Sequence, residues 1–575
     1  MRSVPDVTTG AVPTASRRRS RLSASRTAKA AGILAFVLAL GYLSVLPLIK
    51  LQIRAFGDGG QPYRDAFSRP GQWDTVRYTL ELGLGALAIA MVLGTYLAWA
   101  ASVLPPRVSF LKVLPIFPII LPAVSAVVGW VFLLSPVPGF LNEALRWLPW
   151  WSDRLEGPFD IYTLPFIMII TGLSLASFVY LFVSAGFENI NGELIEAAQV
   201  AGSSRAGVFF KVILPLLRPS LIYGGGVALL LSLGQFTGPL LLGRNQGVSV
   251  ITTDMFFATT STPPDYALAA AIGSPLLIFG VIVLFINWIA LGNSSRFVTH
   301  GGKGGFRQGT PGSKLAATSL VIYTMFASVL PLLALVGVSL TRFWTGEIDP
   351  STWTLDAYRQ LIHEPQITSA IWNSVSLSLA AVAIALPVGY IAASLLRRGR
   401  EHRISSSLLD FVIAMPLSIP AVIFGVGFLL VYTNKPLVLY GTKWVLIIVY
   451  VTLMIPFSTR MQLAGMAALG DAYNEASRVC GAGLIKTQLK IVVPLMRGTF
   501  AGAAALMFVL LTHEFAASLL VRGSQTQVMG TILYDYYENG TYPLVACISL
   551  VMVLVTGAGV AVAVLLGGSD AFKRL

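Results

Sequence analysis

Twelve stretches of this chain, each about twenty residues long, pass with almost no charge, and only a membrane accommodates that many. The apolar runs lie at 30–46, 79–104, 111–134, 162–186, 219–242 and 266–292, then at 315–340, 374–396, 407–433, 444–465, 498–521 and 543–567. A helix rising about 1.5 Å per residue crosses the hydrocarbon in about twenty residues. Inside lipid the backbone must satisfy its own hydrogen bonds, so such runs fold as helices. With 55% hydrophobic residues, 11% charged residues and a mean hydropathy of +0.75, the chain has too little polar surface for a water-soluble domain. The expectation is an all-α integral membrane protein of about twelve transmembrane helices.

Repeats divide those helices into two sets of six. Ser44-Val45-Leu46-Pro47-Leu48 returns letter for letter as Ser328-Val329-Leu330-Pro331-Leu332, 284 residues on. Pro118, Pro122, Ala123 and Val124 return as Pro416, Pro420, Ala421 and Val422, 298 residues on. The predicted parts are a basic tail at 1–29, a first six-helix domain at 30–293, a Gly-rich basic linker at 294–314, a second six-helix domain at 315–568 and a tail at 569–575. Six is even, so both halves insert the same way up, as parallel repeats.

Charge sets the orientation. The tail carries Arg17, Arg18, Arg19, Arg21, Arg26 and Lys29, and the apolar run after it is longer than that of a secretory signal, so the first helix reads as uncleaved with its N-terminus cytoplasmic. On that basis the inner segments hold 27 Lys/Arg against 9 Asp/Glu and the outer ones 13 against 16, which obeys the positive-inside rule. The inner set includes Arg107, Lys112, Arg397, Arg398, Arg400 and Arg403, and in the linker Arg296, Lys303, Arg307 and Lys314. Both chain termini are then cytoplasmic. The net charge of +14 is accounted for by topology and implies no nucleic-acid partner.

Two of the inner loops match each other. Glu196-Ala197-Ala198, Gly202 and the ending Val212-Ile213-Leu214-Pro215 recur 279 residues later as Glu475-Ala476-Ser477, Gly481, Ile491, Val493 and Pro494. A glycine six residues after the glutamate can take positive φ and end a short helix, the small residues permit close approach of a partner, and the glutamates near the helix start suit its positive dipole end. Pro215 and Pro494 mark the return into the membrane. Two ordinary helix-turn-helix connectors are the plainer alternative, but their recurrence in phase and on one side argues against it.

This pattern resembles the cytoplasmic EAA loop of ATP-binding-cassette import permeases, and the whole chain is most similar to the iron(III)-type permeases with two fused domains. The resemblance implies the type I importer permease fold, with each loop carrying a coupling helix for one of two cytoplasmic ATPase subunits and an extracytoplasmic solute-binding protein delivering the solute. It also implies a multi-pass protein of the bacterial plasma membrane, bounded by lipid, that is not itself an enzyme. Thiamine, phosphonate, polyamine and sulfate or molybdate permeases look similar, and Ser477 and Val493 depart mildly from the pattern. No Gly-x4-Gly-Lys-Ser/Thr occurs, and Gly302-Lys303-Gly304 lacks the hydroxyl, so ATP is expected to be used by a partner and no cofactor is expected on this chain.

Within the spans, Glu514 is the one clear carboxylate, preceded by His513 and followed by Phe515; Gln235-Phe236 stands 279 residues earlier. Gln235, Phe236, Glu514 and Phe515 are candidates for a central path, with hydrogen bonding to a neighbouring helix as the other reading. His513 lacks a second ligand at a metal-binding spacing, no catalytic or metal site is expected, and Cys480 and Cys547 read as small core residues. The proline pairs serve either as gate elements or as simple kinks. Trp73, Trp147, Trp150, Trp151 and Trp344 suit interfacial anchors or part of a docking face. An ion-coupled secondary transporter is the competing class, but it would need more intramembrane charge than Glu514 supplies.

Overall fold

A computed structural model of the chain describes residues 31–149, 151, 155–188, 190–291, 314–398, 403–470 and 472–567. The basic N-terminal tail, nearly all of the linker, the C-terminal tail, Arg400 and Trp150 lie outside the described residues. Among the described residues every regular element is helical. Seven helices are individually long and apolar enough to cross a membrane, and the number is twelve when each of five bent pairs counts as one span.

In the first half these are α1 (Ala31–Ser44 bent into Leu46–Ala55), α2 (Gln72–Ser102), α3 (Pro106–Ile120 bent into Ala123–Leu134) and α4 (Leu164–Glu188). A short loop helix α5 (Gly192–Val200) leads to α6 (Ala206–Leu216 bent into Arg218–Leu233), the outer helix α7 (Ile251–Thr260) and α8 (Tyr266–Leu291). The second half repeats the order. It comprises α9 (Lys314–Ser339), α10 (Pro365–Arg398), α11 (Ser406–Ser418 bent into Ala421–Tyr432), α12 (Lys443–Leu469), the loop helix α13 (Ala472–Val479), α14 (Ile485–Leu495 bent into Arg497–Thr512), α15 (Met529–Glu538) and α16 (Tyr542–Gly567).

The proline pairs break their helices outright. The two pieces of α3 meet at 92° and those of α11 at 107°. Pro122 and Pro420 stand at the break with extended ψ, and Leu121 ahead of Pro122 is extended too. A proline has no N–H to offer and disfavours helical backbone in the residue before it, which is how two side chains turn a span by a right angle.

The repeated motifs meet each other across the halves. A Cβ on Gly129 in α3 would lie 2.6 Å from the Pro331 carbonyl in α9, and one on Gly427 in α11 would lie 2.9 Å from that of Pro47 in α1. The first span of each half therefore packs on the third span of the other, and only glycine lets the backbones approach so closely. Within each half the second span packs on the fourth by the same device, with Gly94 against Ala176 and Gly389 against Ser458. Trp344 differs from the expected anchor role. Its ring packs 4.8 Å from Phe132 and 5.1 Å from Tyr542, whereas Trp73 and Trp147 are exposed.

Candidate coupling loops and central aromatic cluster

The two matched loops close in the same way. In the first, Gly202 has φ +84°, its N–H donates to the Gln199 carbonyl at 2.9 Å, and the Ser203 N–H donates to that of Ala198 at 3.0 Å. In the second, Gly481 has φ +78°, its N–H donates to Arg478 at 3.0 Å, and that of Ala482 donates to Ser477 at 3.0 Å. Each pair of bonds caps carbonyls that the helix leaves without a partner. A Cβ at either glycine would meet nothing within 4 Å, so backbone conformation rather than space requires glycine here.

Both short helices present an exposed face. Glu196, Ala197, Glu475 and Ala476 are exposed, and so are the equivalent apolar pairs Leu194 with Val200 and Tyr473 with Val479. Ala198 is half-buried and Ser477 buried. Glu475 lies in the first turn of α13; Glu196 is the fifth residue of α5, whose first turn carries Glu193, its N–H held at 3.0 Å by the Asn191 side chain. Pro215 and Pro494 end the first pieces of α6 and α14, and the spans proper start after bends of 67° and 69°, at Arg218 and Arg497.

Each fifth span is broken a second time, at the polar-Phe pair. The second piece of α6 ends at Leu233, and a π turn over Pro239–Gly243 follows; α14 ends at Thr512, and a short helix over Ala516–Val521 follows. The unbroken runs expected at 219–242 and 498–521 are corrected accordingly. The side chain of Glu514 makes its own break possible. Its carboxylate accepts from the N–H groups of Ala517 at 2.9 Å and Ser518 at 3.1 Å and from the Ser518 hydroxyl at 2.8 Å. Ser518 also bonds the Tyr450 hydroxyl at 2.9 Å. Glu514 thus caps the short helix that follows the break, and Ser518 ties that helix to α12. The Gln235 carbonyl accepts from the Thr252 hydroxyl. His513 Nε2 bonds Thr556 at 2.9 Å.

The two phenylalanines do meet. Phe236 and Phe515 lie with ring centroids 5.6 Å apart across the halves, both buried. Phe256 on α7 and Tyr534 on α15 complete the cluster at 5.6 and 5.9 Å from their own half's phenylalanine and 6.3 Å from each other. Neither Phe256 nor Tyr534 was expected from the sequence. The available signal was Val250 with Thr253 and Val528 with Thr531, 278 apart, which start the two outer helices with the same backbone-to-threonine bonds.

The spacing between the halves falls from 279 at Phe236 and Phe515 to 278 at Arg244 and Arg522, and the extra first-half residue coincides with the π turn at Pro239–Gly243. A single added residue is what a π turn absorbs without unwinding its helix. Arg522 pairs with Asp535 through two 2.7 Å bonds, while Arg244 reaches across the halves to Glu538 at 3.0 Å.

Comparison with known proteins agrees with this architecture. The family described as "Binding-protein-dependent transport system inner membrane component" matches at residues 86–292 and again at 385–567. The chain is 26% identical to the ferric transport system permease protein FbpB of Actinobacillus pleuropneumoniae over 91% of this chain and 76% of that protein. It is 25% identical to the putative ferric transport system permease protein FbpB 1 of Haemophilus influenzae over 87% and 78%. It is 26% identical to the probable ABC transporter permease protein y4fN of Sinorhizobium fredii over 89% and 91%. The matches extend through both six-helix halves, each with its own capped loop, and the chain therefore belongs to the family of inner membrane components of binding-protein-dependent transport systems, as an ABC importer permease with two fused domains.

Proposed function

We propose that this permease carries ferric iron inward, driven by two copies of a separate cytoplasmic ATPase that dock on α5 and α13. Support for iron comes from the two relatives named as ferric transport permeases, which align with most of the chain. A solute-binding protein delivers the solute at the opposite face, and both termini are cytoplasmic, in keeping with the basic inner segments. The chain itself holds no nucleotide.

The observation that carries this reading is the shared ending of the two loops, where equivalent glycines take the same left-handed conformation and each helix exposes the same two apolar positions beside a glutamate. Equal knobs suit two copies of one partner. Transport proceeds by alternating access. ATP binding draws the knobs together and parts the aromatic cluster of Phe236, Phe256, Phe515 and Tyr534, opening the path outward; hydrolysis restores the closed cluster. Glu514 acts by holding the break that places Phe515, and Gln235 stands at the matching break.

Co-purification of the ATPase, measured together with ATP-dependent uptake of ferric iron, tests the assignment. Gly202→Val and Gly481→Val should each weaken ATPase retention and uptake; normal retention with full uptake in both variants contradicts it.

A further inference from the structure

A cavity of about 750 Å³ lies where α6 and α8 of the first half face α11 and α12 of the second. That is roughly five times the volume of an apolar cavity of about 150 Å³ that takes one benzene. Its walls are mostly aliphatic and aromatic, with Leu230, Phe285, Leu408 and Phe411 among them, yet Asp410 and Arg460 also line it, 2.8 Å apart. Phe285 belongs to a stripe on α8 with Ile278, Ile282 and Ile286, all exposed, and Leu408 on the opposite wall is exposed as well. Such a stripe on a spanning helix faces lipid, so the cavity opens sideways onto the bilayer.

The charged pair sits at a definite depth. Arg460 precedes the end of α12 by nine residues, roughly 14 Å at about 1.5 Å per residue. That is measured from the coupling-loop side, so the pair lies near the boundary between headgroups and acyl chains, with Leu230, twelve residues past Arg218 on α6, deeper. The fold does not demand it: Lys112 stands 298 residues before Asp410 and Leu181 stands 279 before Arg460, so the first half has no matching pair.

We propose that this cavity binds one phospholipid of the cytoplasmic leaflet with a zwitterionic ammonium–phosphate headgroup. The Arg460 guanidinium, whose five N–H groups exceed what one carboxylate uses, takes the phosphate; the Asp410 carboxylate takes the ammonium, and an acyl chain fills the space against Leu230 and Phe285. Charged pockets between spanning helices at this depth suit headgroups, and a hydrophilic solute gains nothing from these walls. The leaflet named rests on the proposed orientation; the site itself does not.

The test uses the permease co-purified with its ATPase, reconstituted in nanodiscs of phosphatidylethanolamine or phosphatidylglycerol, extracted in mild detergent and weighed by native mass spectrometry. The wild type should retain one phosphatidylethanolamine per chain. Arg460→Gln and Asp410→Asn should reduce that retention at least tenfold while the ATPase stays bound. Ser407→Trp, which narrows the cavity from an exposed position and keeps both charges, should do the same, so a charge variant that fails to assemble leaves the question decidable. Equal retention in all variants, equal retention of phosphatidylglycerol, or ferric iron bound in place of lipid would overturn the proposal. Loss of the ATPase from the wild type would instead contradict the coupling reading.

Discussion

The two coupling loops have the same backbone and opposite means of support. Under α5 the anchor is apolar: Ile195 and Val208 are buried in a cluster with Tyr180, Phe187 and Ile213, and Ala198 packs on it. Under α13 the equivalent positions are Asn474, Thr487 and Ser477, joined by hydrogen bonds. Ser477 bonds Thr487 at 2.8 Å, and Asn474 bonds Gln488 at 3.2 Å, which in turn accepts from the Tyr390 hydroxyl. The fifth spans differ in the same sense. After its break the first half places Pro239, which has no N–H to satisfy, where the second half has the Ser518 N–H, capped by Glu514. Shape is held equal between the halves while the chemistry beneath it is free to differ, as expected if a shared partner reads only the outer surface.

The strongest way to break the comparison is to attack what the loops share. Gly202→Val together with Gly481→Val forces two β-branched residues into the left-handed region, at about 1–2 kcal/mol or more each, and should abolish ATP-driven uptake in membrane vesicles; retained uptake would mean the caps are dispensable. Next comes the apolar anchor. Ile195→Ala should destabilise α5 by about 2–4 kcal/mol, read as faster amide hydrogen exchange over 192–203 with 472–482 unchanged. Glu514→Ala leaves the Ala517 and Ser518 N–H groups without their acceptor at about 1–3 kcal/mol, and should speed exchange over 515–521 and slow uptake while ATPase retention is normal.

The smallest effects sharpen the comparison most. Ser477→Ala alone removes the Ser477–Thr487 bond, leaves the Thr487 hydroxyl only its 3.1 Å bond to the Gly483 carbonyl, and should cost about 1 kcal/mol in the exchange of α13. Adding Thr487→Val recreates the Ala198 and Val208 pair of the first half and should recover most of that loss, because replacing both partners by apolar groups lets the site pack as the first half does. A double variant worse than the single one would show that the two supports are not interchangeable.

Much of this was legible from the residues. Apolar length predicted the spans, and the repeats at Pro47 and Pro331 and at Pro122 and Pro420 predicted two halves. The glycine spacing after each glutamate predicted the helix ends, since positive φ is a local property of the chain. What escaped was decided by tertiary contact. Gly129 and Gly427 share the register of the proline pairs, yet that they meet Pro331 and Pro47 depends on how the halves cross. The break at Glu514 was hidden because the run continues apolar on both sides, and a carboxylate capping its own chain cannot be told by pattern from one facing a pore. Phe256 and Tyr534 were missed because one added residue shifts their register from 279 to 278.

On the proposed mechanism the two knobs move together when the partner binds ATP. Lys211 and Lys490 are equivalent, exposed and off the knob helices, which suits spin labels at both in a chain whose Cys480 and Cys547 are replaced by Ser. Pulsed electron resonance on the complex with its ATPase should show the distance between the labels shorten when ATP binds and lengthen again after hydrolysis. A distance that stays the same through the cycle, while uptake proceeds, would contradict the account.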